Sequence, residues 1–320
     1  GPAVSRFWDA EPDSGYMATW AVRCAQAVAQ AHREAVEAEL SFGRSFEWRV
    51  AANRRVVMRD GTVRTHGDFS DPQCLALEGP IDPEVGVLAA RTPEGRLLGM
   101  IVNYACHPTH HMDDDAFSAG FPGVLANHLA GAGCPNMVFL NGAFGNMHTI
   151  NPIGGTCSME RAGTCLAEAA LAAAGQTAPL SNPEIRVCRE EVRLPLRPMP
   201  EQRQRLGTLS PAKQPALRRF MEKLALEGDP IAEVQTIHLG DAAITGIPAE
   251  YFVEHGLSIK SRGFPANVLL AGAANGMLGY VANAEAFDRG GYEVTFGEGC
   301  FLDRNAGALL EDAAVRTIRG

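Results

Sequence analysis

Strand-like and helix-like segments alternate along most of this 320-residue chain. A sheet with helices in its connections must bury its apolar faces under those helices, so the alternation predicts layers of strands and helices. No internal repeat interrupts it. We therefore predict an α/β fold, with a mixed β-sheet layered with helices, in one domain rather than two.

Apolar periodicity and turn residues locate the individual segments. The predicted strands are 85–91, 97–106, 136–142, 185–194 and 266–275, and the predicted helices are 16–40, 121–131, 157–174, 200–226, 250–261 and 305–318. A hairpin turns at Gly240-Asp241, and 175–184 has the composition of a linker. The run 97–106 is apolar enough for a central strand, and His107 stands at its carboxyl end, where ligands bind in open α/β sheets.

The charge and the cysteines exclude several classes of protein. A net charge of −9 argues against nucleic acid or an anionic membrane as the main partner. No apolar run reaches about 18 residues, so we expect no transmembrane segment. The eight cysteines are scattered without a CxxC pair, which predicts free, mostly buried thiols. The oligomeric state and the compartment, cytoplasmic or secreted, stay open.

The stretch "NYACHPTHHMDDD" (103–115) collects side chains that bind divalent metals. Each also has a purely structural interpretation: His107 as a hydrogen-bonded core histidine, and the aspartates as a solvated loop without calcium-loop spacing. Glu250 follows a strand at the predicted beginning of a helix, where the helix dipole stabilises a carboxylate. Tyr280 has the ordinary role of a core tyrosine. These patterns alone predict an α/β protein and leave a metalloenzyme open.

Taken in order, several segments resemble the catalytic domain of the neutral/alkaline (non-lysosomal) ceramidase family, particularly its shorter bacterial members. The resemblance covers nearly the whole chain. The segments are "NRR" (53–55), "VNYACHPT" (102–109), "FSAGFPG" (117–123), "FLNGAFGN" (139–146), "GIPAEYFVEHGLSIK" (246–260) and "NGMLGYVANAEAFDRGGYEV" (275–294).

The resemblance implies one zinc ion, held in that family by two histidines, a glutamate and a tyrosine, and hydrolysis of an amide bond. By motif, the metal ligands in this chain would be His107, Glu250 and Tyr280. Tyr292 would hydrogen-bond the tetrahedral intermediate, and Arg54 would belong to the substrate site.

The same resemblance assigns a substrate side. His110 and His111 would be loop residues there, and Asn146 would border the site where the family has an aspartate. The aspartates at 113–115 would form a solvated loop with at most a gating role.

Two departures from the family pattern bear on the metal site. "GPAV" (1–4) matches the end of the family's His-x-His-Ser-Gly-Pro motif, so both motif histidines would lie upstream of Gly1 and we expect an N-terminally truncated catalytic domain over 1–320. Gly120 stands where relatives commonly have aspartate, and loss of such a carboxylate weakens metal binding by about 10–100-fold in comparable sites. We expect no C-terminal immunoglobulin-like domain.

The resemblance thus predicts a zinc-dependent amidohydrolase that cleaves an N-acyl, ceramide-like bond of a small molecule, lipid or not, through a zinc-activated water. One alternative keeps the zinc site but acts as a peptidase or esterase. Another is a truncated or degenerate family member that serves as a binding or structural module. A third is a site completed by a separate N-terminal chain.

Overall fold

The computed structural model describes residues 13–110, 117–182 and 184–320. Within these ranges eight α-helices occur: α1 (Ser14–Arg33), α2 (Gly120–Gly131), α3 (Met159–Ala174), α4 (Met199–Thr208), α5 (Gln214–Glu227), α6 (Val253–Gly263), α7 (Ala284–Arg289) and α8 (Ala306–Arg319). The predictions for His111, for the aspartates at 113–115 and for "GPAV" at 1–4 lie outside the described residues.

The strands of the described ranges vary from two to nine residues. In chain order they are β1 (Glu39–Phe46), β2 (Ala52–Asn53), β3 (Arg55–Met58), β4 (Val63–Thr65), β5 (Cys74–Leu77), β6 (Glu84–Arg91), β7 (Leu97–Tyr104), β8 (Met137–Asn141), β9 (Met147–His148), β10 (Ile150–Asn151), β11 (Gly155–Thr156), β12 (Ala178–Pro179), β13 (Ile185–Arg193), β14 (Ile231–Leu239), β15 (Ala242–Ile247), β16 (Glu250–Tyr251), β17 (Asn267–Gly272) and β18 (Tyr280–Val281).

Two large sheets form the main part of the fold. The first has the order β12-β1-β6-β7-β8, and the second has the order β13-β14-β15-β17. In each sheet all neighbours are antiparallel except one parallel pair at an end, β7 with β8 and β15 with β17. Helices α2 and α3 pack on the first sheet, and α6 and α8 pack on the second. The predicted α/β fold with mixed sheets layered with helices is therefore confirmed.

The parallel ends of the two sheets meet. The Asn103 side chain on β7 donates hydrogen bonds to the carbonyls of Leu140 and Leu270, both at 2.7 Å. Its own oxygen accepts from the Leu270 amide at 3.3 Å. One buried amide therefore joins β7, β8 and β17. The loops that follow the carboxyl ends of these strands consequently lie close together, and they carry the candidate site.

Each large core lies between one sheet and its helices. The first contains buried residues of β6, β7, α2 and α3, among them Val87, Val102 and Leu125. The second contains buried residues of β14, β17, α6 and α8, among them Leu270 and Leu310. Strand β14 alternates between buried and partly exposed residues, as expected for a strand that faces helices on one side. The single domain over 1–320 stays a prediction.

Several sequence-based boundaries were wrong. The predicted helix 16–40 ends at Arg33, and its last two residues, Glu39 and Leu40, begin strand β1, which pairs with β6 along its whole length. The predicted helix 200–226 is divided into α4 and α5 near Pro211, whose ring cannot donate a backbone hydrogen bond. The predicted linker 175–184 contains β12, which adds an edge to the first sheet.

The described residues contain no helix that is both long and apolar enough to cross a bilayer. All eight cysteines are free thiols; Cys24 is exposed, Cys188 is partly exposed, and the others are buried. The prediction of free, mostly buried thiols is therefore confirmed.

Candidate functional site

His107 lies just beyond the carboxyl end of β7, buried beneath the loop that contains β9. Its Nδ1 atom is 2.9 Å from the carbonyl oxygen of Met147. Because a carbonyl oxygen only accepts hydrogen bonds, Nδ1 carries the hydrogen. In the neutral ring the lone pair is then on Nε2, as a metal-binding histidine requires. Nε2 lies 3.4 Å from Oε2 of Glu250 and 3.4 Å from the hydroxyl of Tyr280.

Glu250 and Tyr280 are brought together by the short parallel strands β16 and β18. The two residues are direct partners in the register of this pair. The Glu250 amide donates to the Gly279 carbonyl at 2.9 Å, and the Tyr280 amide donates to the Gly299 carbonyl at 2.8 Å. The pairing therefore holds both side chains beside His107.

One prediction about Glu250 is wrong. Helix α6 begins at Val253, after its N-cap residue Phe252, so Glu250 lies in a strand before the helix. Strand pairing with Tyr280, rather than a helix dipole, positions this carboxylate.

The donor set suits a divalent cation. Nε2 of His107, which carries the ring's lone pair, faces a carboxylate oxygen and a phenol oxygen, each at 3.4 Å. Imidazole nitrogen and carboxylate oxygen are ligands that zinc accepts. In the part of the chain that the structure describes, no three or more His, Cys, Asp or Glu side chains form a metal-binding group. The candidate site therefore depends on Tyr280 as its third member.

Arg54 supplies a buried positive charge behind the cluster. Its guanidinium carbon lies 5.3 Å from the centre of the Tyr280 ring. Its Nε donates to Glu293 at 2.8 Å, and another guanidinium nitrogen donates to the Gly145 carbonyl at 3.0 Å. Burial lowers the pKa of Arg54, but the charge of Glu293 and the contacts with Tyr280 together outweigh this effect and keep that pKa above its usual value. The group is therefore a permanent cation.

The charges of the two candidate oxygen ligands differ. Burial raises the pKa of Glu250, whereas contact with His107, the Tyr280 hydroxyl and the charge of Arg54 lower it, and the net pKa is below the usual range. Burial raises the pKa of Tyr280 and the Glu250 charge raises it further, while Arg54 opposes both. Without a cation, the site thus contains a carboxylate and a neutral phenol at neutral pH.

Tyr292 forms the open side of the cluster. It begins the short 3-10 helix Tyr292–Val294 and is 45% exposed. Its ring meets the Tyr280 ring edge-on, with 5.5 Å between the ring centres. The structure therefore brings together five of the residues selected from the sequence: His107, Glu250, Tyr280, Tyr292 and Arg54.

Of the three residues predicted on the substrate side, Asn146 and His110 lie within the described residues. Asn146 is fully buried, and its amide donates to both carboxylate oxygens of Glu254, at 3.2 and 2.9 Å. Its side-chain oxygen accepts from the Val253 amide at 2.9 Å, so these contacts support the beginning of α6. His110 is half-buried and packs edge-on against Phe121, 6.0 Å between ring centres. Substrate contacts of Asn146 and His110 stay predictions.

Two further histidines adjoin the cluster, and sequence reasoning missed both. The His148 ring centre is 5.9 Å from that of His107 and 4.8 Å from that of His66. The Ile150 amide donates to Nδ1 of His148 at 3.0 Å. Burial, together with the Arg54 charge and the neighbouring histidines, lowers the pKa of His148 to about 2 and that of His66 to about 4. Both rings are therefore neutral over the physiological range.

A signal for His148 was present in the sequence. It follows Met147, in the loop after the predicted strand 136–142, where Gly142 and Gly145 allow a ligand to approach the backbone closely. His66 gave no such signal, because it lies between β4 and β5 and reaches the site only through the fold, with a left-handed φ of 57°.

The local backbone explains why residue 120 is a glycine. Its φ of 59° is left-handed, and a Cβ atom there would lie 2.6 Å from the carbonyl oxygen of Pro108, the residue after His107. This backbone therefore requires glycine at the beginning of α2, and an aspartate would not fit without a shift. That Gly120 weakens metal binding stays a prediction.

Comparison with known proteins identifies the fold. No protein-family model and no curated protein matches the chain. The crystal structure of neutral ceramidase from Pseudomonas aeruginosa matches with a TM-score of 0.66 and 19% identity, over 92% of this chain and 54% of that one. A structure of a ceramidase complexed with C2 matches with a TM-score of 0.63 and 18% identity, over 88% and 53%.

The chain therefore has a neutral-ceramidase-like fold, as the sequence resemblance predicted. It spans about half the length of these solved structures.

Proposed function

We propose that this protein is a zinc-dependent amidohydrolase that cleaves an N-acyl, ceramide-like amide bond. The observation that carries the proposal is the convergence of Nε2 of His107 on Glu250 and Tyr280, which are 143 and 173 residues away in the chain. The neutral-ceramidase-like fold supports it, since the two solved structures compared above are ceramidases.

His107, Glu250 and Tyr280 are the residues of this chain that would hold the metal. Bound zinc lowers the pKa of a coordinated water to about 7 and polarises a substrate carbonyl. The Met147 carbonyl keeps the hydrogen of His107 on Nδ1, so Nε2 is available as a ligand. Glu250 contributes the negative charge, because its pKa lies below the usual range.

Tyr292 and Arg54 would act on the substrate side. The partly exposed Tyr292 can donate its hydroxyl hydrogen to a carbonyl oxygen as negative charge develops there. Removal of a donor of this kind typically costs about 3 kcal/mol of barrier. The buried Arg54 cation, stacked on Tyr280, favours negative charge throughout the cluster.

Zinc analysis and a substrate panel test the proposal. The full natural chain is purified, its zinc content is measured, and hydrolysis of ceramides, acyl-amino acids, peptides and esters is compared. We expect bound zinc and cleavage of an N-acyl amide, both lost in Glu250→Gln and retained in Glu285→Gln, an exposed matched control.

A protein without zinc and without amide hydrolysis would contradict the proposal and favour a binding or structural module. Zinc-dependent cleavage of esters or peptides alone would keep the metal site and overturn the substrate class.

A further inference from the structure

Glu293 is a buried carboxylate next to the cluster that the proposed chemistry does not use. It lies in the 3-10 helix Tyr292–Val294 and has no exposed surface. One oxygen accepts from Nε of Arg54 at 2.8 Å. The other accepts from Arg55 at 2.7 Å and from the Thr65 hydroxyl at 2.9 Å. All three donors belong to β3, to β4 or to the residue before β3, so one carboxylate connects the 3-10 helix to the three-stranded sheet β4-β3-β5.

The residues on both sides of this carboxylate contact Tyr280. Arg54, bound to Oε1, stacks on the Tyr280 ring, and Tyr292, the preceding residue in the chain, meets the same ring edge-on. The Tyr292 amide also lies 3.4 Å from the Thr65 hydroxyl oxygen, which it approaches as a donor. A shift of Glu293 would therefore move Arg54 and Tyr292 together relative to Tyr280.

The two arginines depend on Glu293 to different degrees. Arg55 also pairs with Glu78 and donates to the Gly290 carbonyl at 2.8 Å. Among the described residues, Arg54 forms a salt bridge with Glu293 alone. Loss of the Glu293 charge would leave Arg55 with a carboxylate partner, whereas Arg54 would be a buried cation without one. An uncompensated buried charge is strongly unfavourable, so we expect Arg54 to turn toward another acceptor or toward solvent.

We propose that Glu293 is a positioning residue that sets the orientation of Arg54 and Tyr292 against Tyr280 for amide hydrolysis. The inference rests on the proposed function. Arg54 and Tyr292 meet charge that develops during the reaction, so their displacement lowers kcat more than it raises KM.

The primary test compares Glu293→Gln with Glu78→Gln. The second variant removes another carboxylate from Arg55 but leaves the salt bridge between Arg54 and Glu293 intact, so it is the matched control. We expect Glu293→Gln to lower kcat by about 10- to 100-fold with KM changed by less than about threefold. Glu78→Gln should leave kcat within about threefold. An unchanged kcat in Glu293→Gln, or an equal loss in both variants, would overturn the proposal.

A readout without catalysis separates this inference from the proposed function. The side-chain Nε–H signal of Arg54, assigned by NMR with an Arg54→Lys variant, reports its bond to Glu293. We expect the signal to disappear or shift in Glu293→Gln and to persist in Glu78→Gln, whether or not the wild type hydrolyses an amide. An unshifted signal in Glu293→Gln would overturn the inference. Absence of zinc and hydrolysis in the wild type contradicts the proposed function instead.

A double variant covers the case in which Glu293→Gln does not fold. Adding Arg55→Met removes one buried positive charge and restores the charge balance around position 293. We expect the double variant to fold and to keep the low kcat, because Arg54 still lacks its carboxylate. Recovery of wild-type kcat in that variant would mean that Glu293 only balances charge, and it would overturn the positioning role.

Discussion

Nε2 of His107 lies 3.4 Å from Oε2 of Glu250, although 143 residues separate them in the chain. His107 follows the carboxyl end of β7, and Glu250 lies in β16 after β15. Because Asn103 joins β7 to β17, the neighbour of β15, the loops after these strands meet. The contact thus results from the junction of two sheets, and its chemistry is open to direct tests.

Tyr280→Phe should weaken zinc binding without unfolding the protein. The change removes only the hydroxyl that faces Nε2 of His107 and keeps the ring on which Arg54 stacks. We expect a loss of zinc affinity of at least about 10–100-fold, the effect of weakening comparable ligand sets. The free energy of unfolding of the metal-free protein should change by no more than about 1.5 kcal/mol. Titration against a chelator measures the zinc affinity, and Tyr16→Phe, at an exposed position, is the control. Equal zinc affinities of the wild type and Tyr280→Phe would contradict Tyr280 as a ligand.

His66 and His148 should make stability fall as the pH drops below about 6.5. The pKa is about 4 for His66 and about 2 for His148 in the folded protein. Between the unfolded pKa and these values the unfolded state binds more protons, so acid favours unfolding. Each histidine adds up to about 1.4 kcal/mol per pH unit to the slope.

Urea unfolding of the metal-free protein at pH 7, 6 and 5 measures that slope. A His66→Asn/His148→Asn double variant retains the contribution of the carboxylates, so the difference between the two slopes isolates the histidines. Equal slopes in the wild type and the double variant would show that the two rings bind protons equally in the folded and unfolded states.

Gly120→Ala should destabilise the protein by about 1–3 kcal/mol, because its left-handed backbone disfavours a side chain. The new Cβ would also meet the Pro108 carbonyl at 2.6 Å. Gly131→Ala, at the other end of α2, meets nothing within 4 Å and should be neutral or stabilising by up to about 1 kcal/mol. Urea denaturation of both variants gives the comparison. Equal stabilities would mean that the backbone at 120 adapts to a side chain.

Cys24 should be the fastest of the eight thiols to react with a disulfide reagent. It is exposed on α1, whereas Cys188 is partly exposed and the other six are buried. Reactivity of a thiol requires access of the reagent to its thiolate. We expect one rapid equivalent in the native protein, absent in Cys24→Ser, and eight after denaturation. Rapid reaction of several thiols in the Cys24→Ser protein would contradict the burial of the others.

The main elements of the fold were predictable because the local periodicity of apolar residues indicates them. Apolar runs at 85–91 and 97–106 predicted β6 and β7 within two residues of their bounds, and Gly240-Asp241 located the hairpin turn. Predictions failed where pairing with a distant strand determines the structure, as at the first two residues of β1, Glu39 and Leu40, which local propensity assigned to the end of a helix. The same holds for Glu250, whose strand exists only because Tyr280 lies beside it.

For the candidate site, the sequence by itself supplied His107, Glu250, Tyr280, Tyr292 and Arg54, through the order of motifs rather than through any contact. Only the tertiary structure brought these five together, added His66 and His148, and showed that the Asn146 side chain supports the beginning of α6. It also identified Glu293 as the carboxylate that Arg54 and Arg55 share. The reason is physical: strand and helix periods are set by neighbouring residues, whereas a buried charge finds its partner only after distant strands have paired.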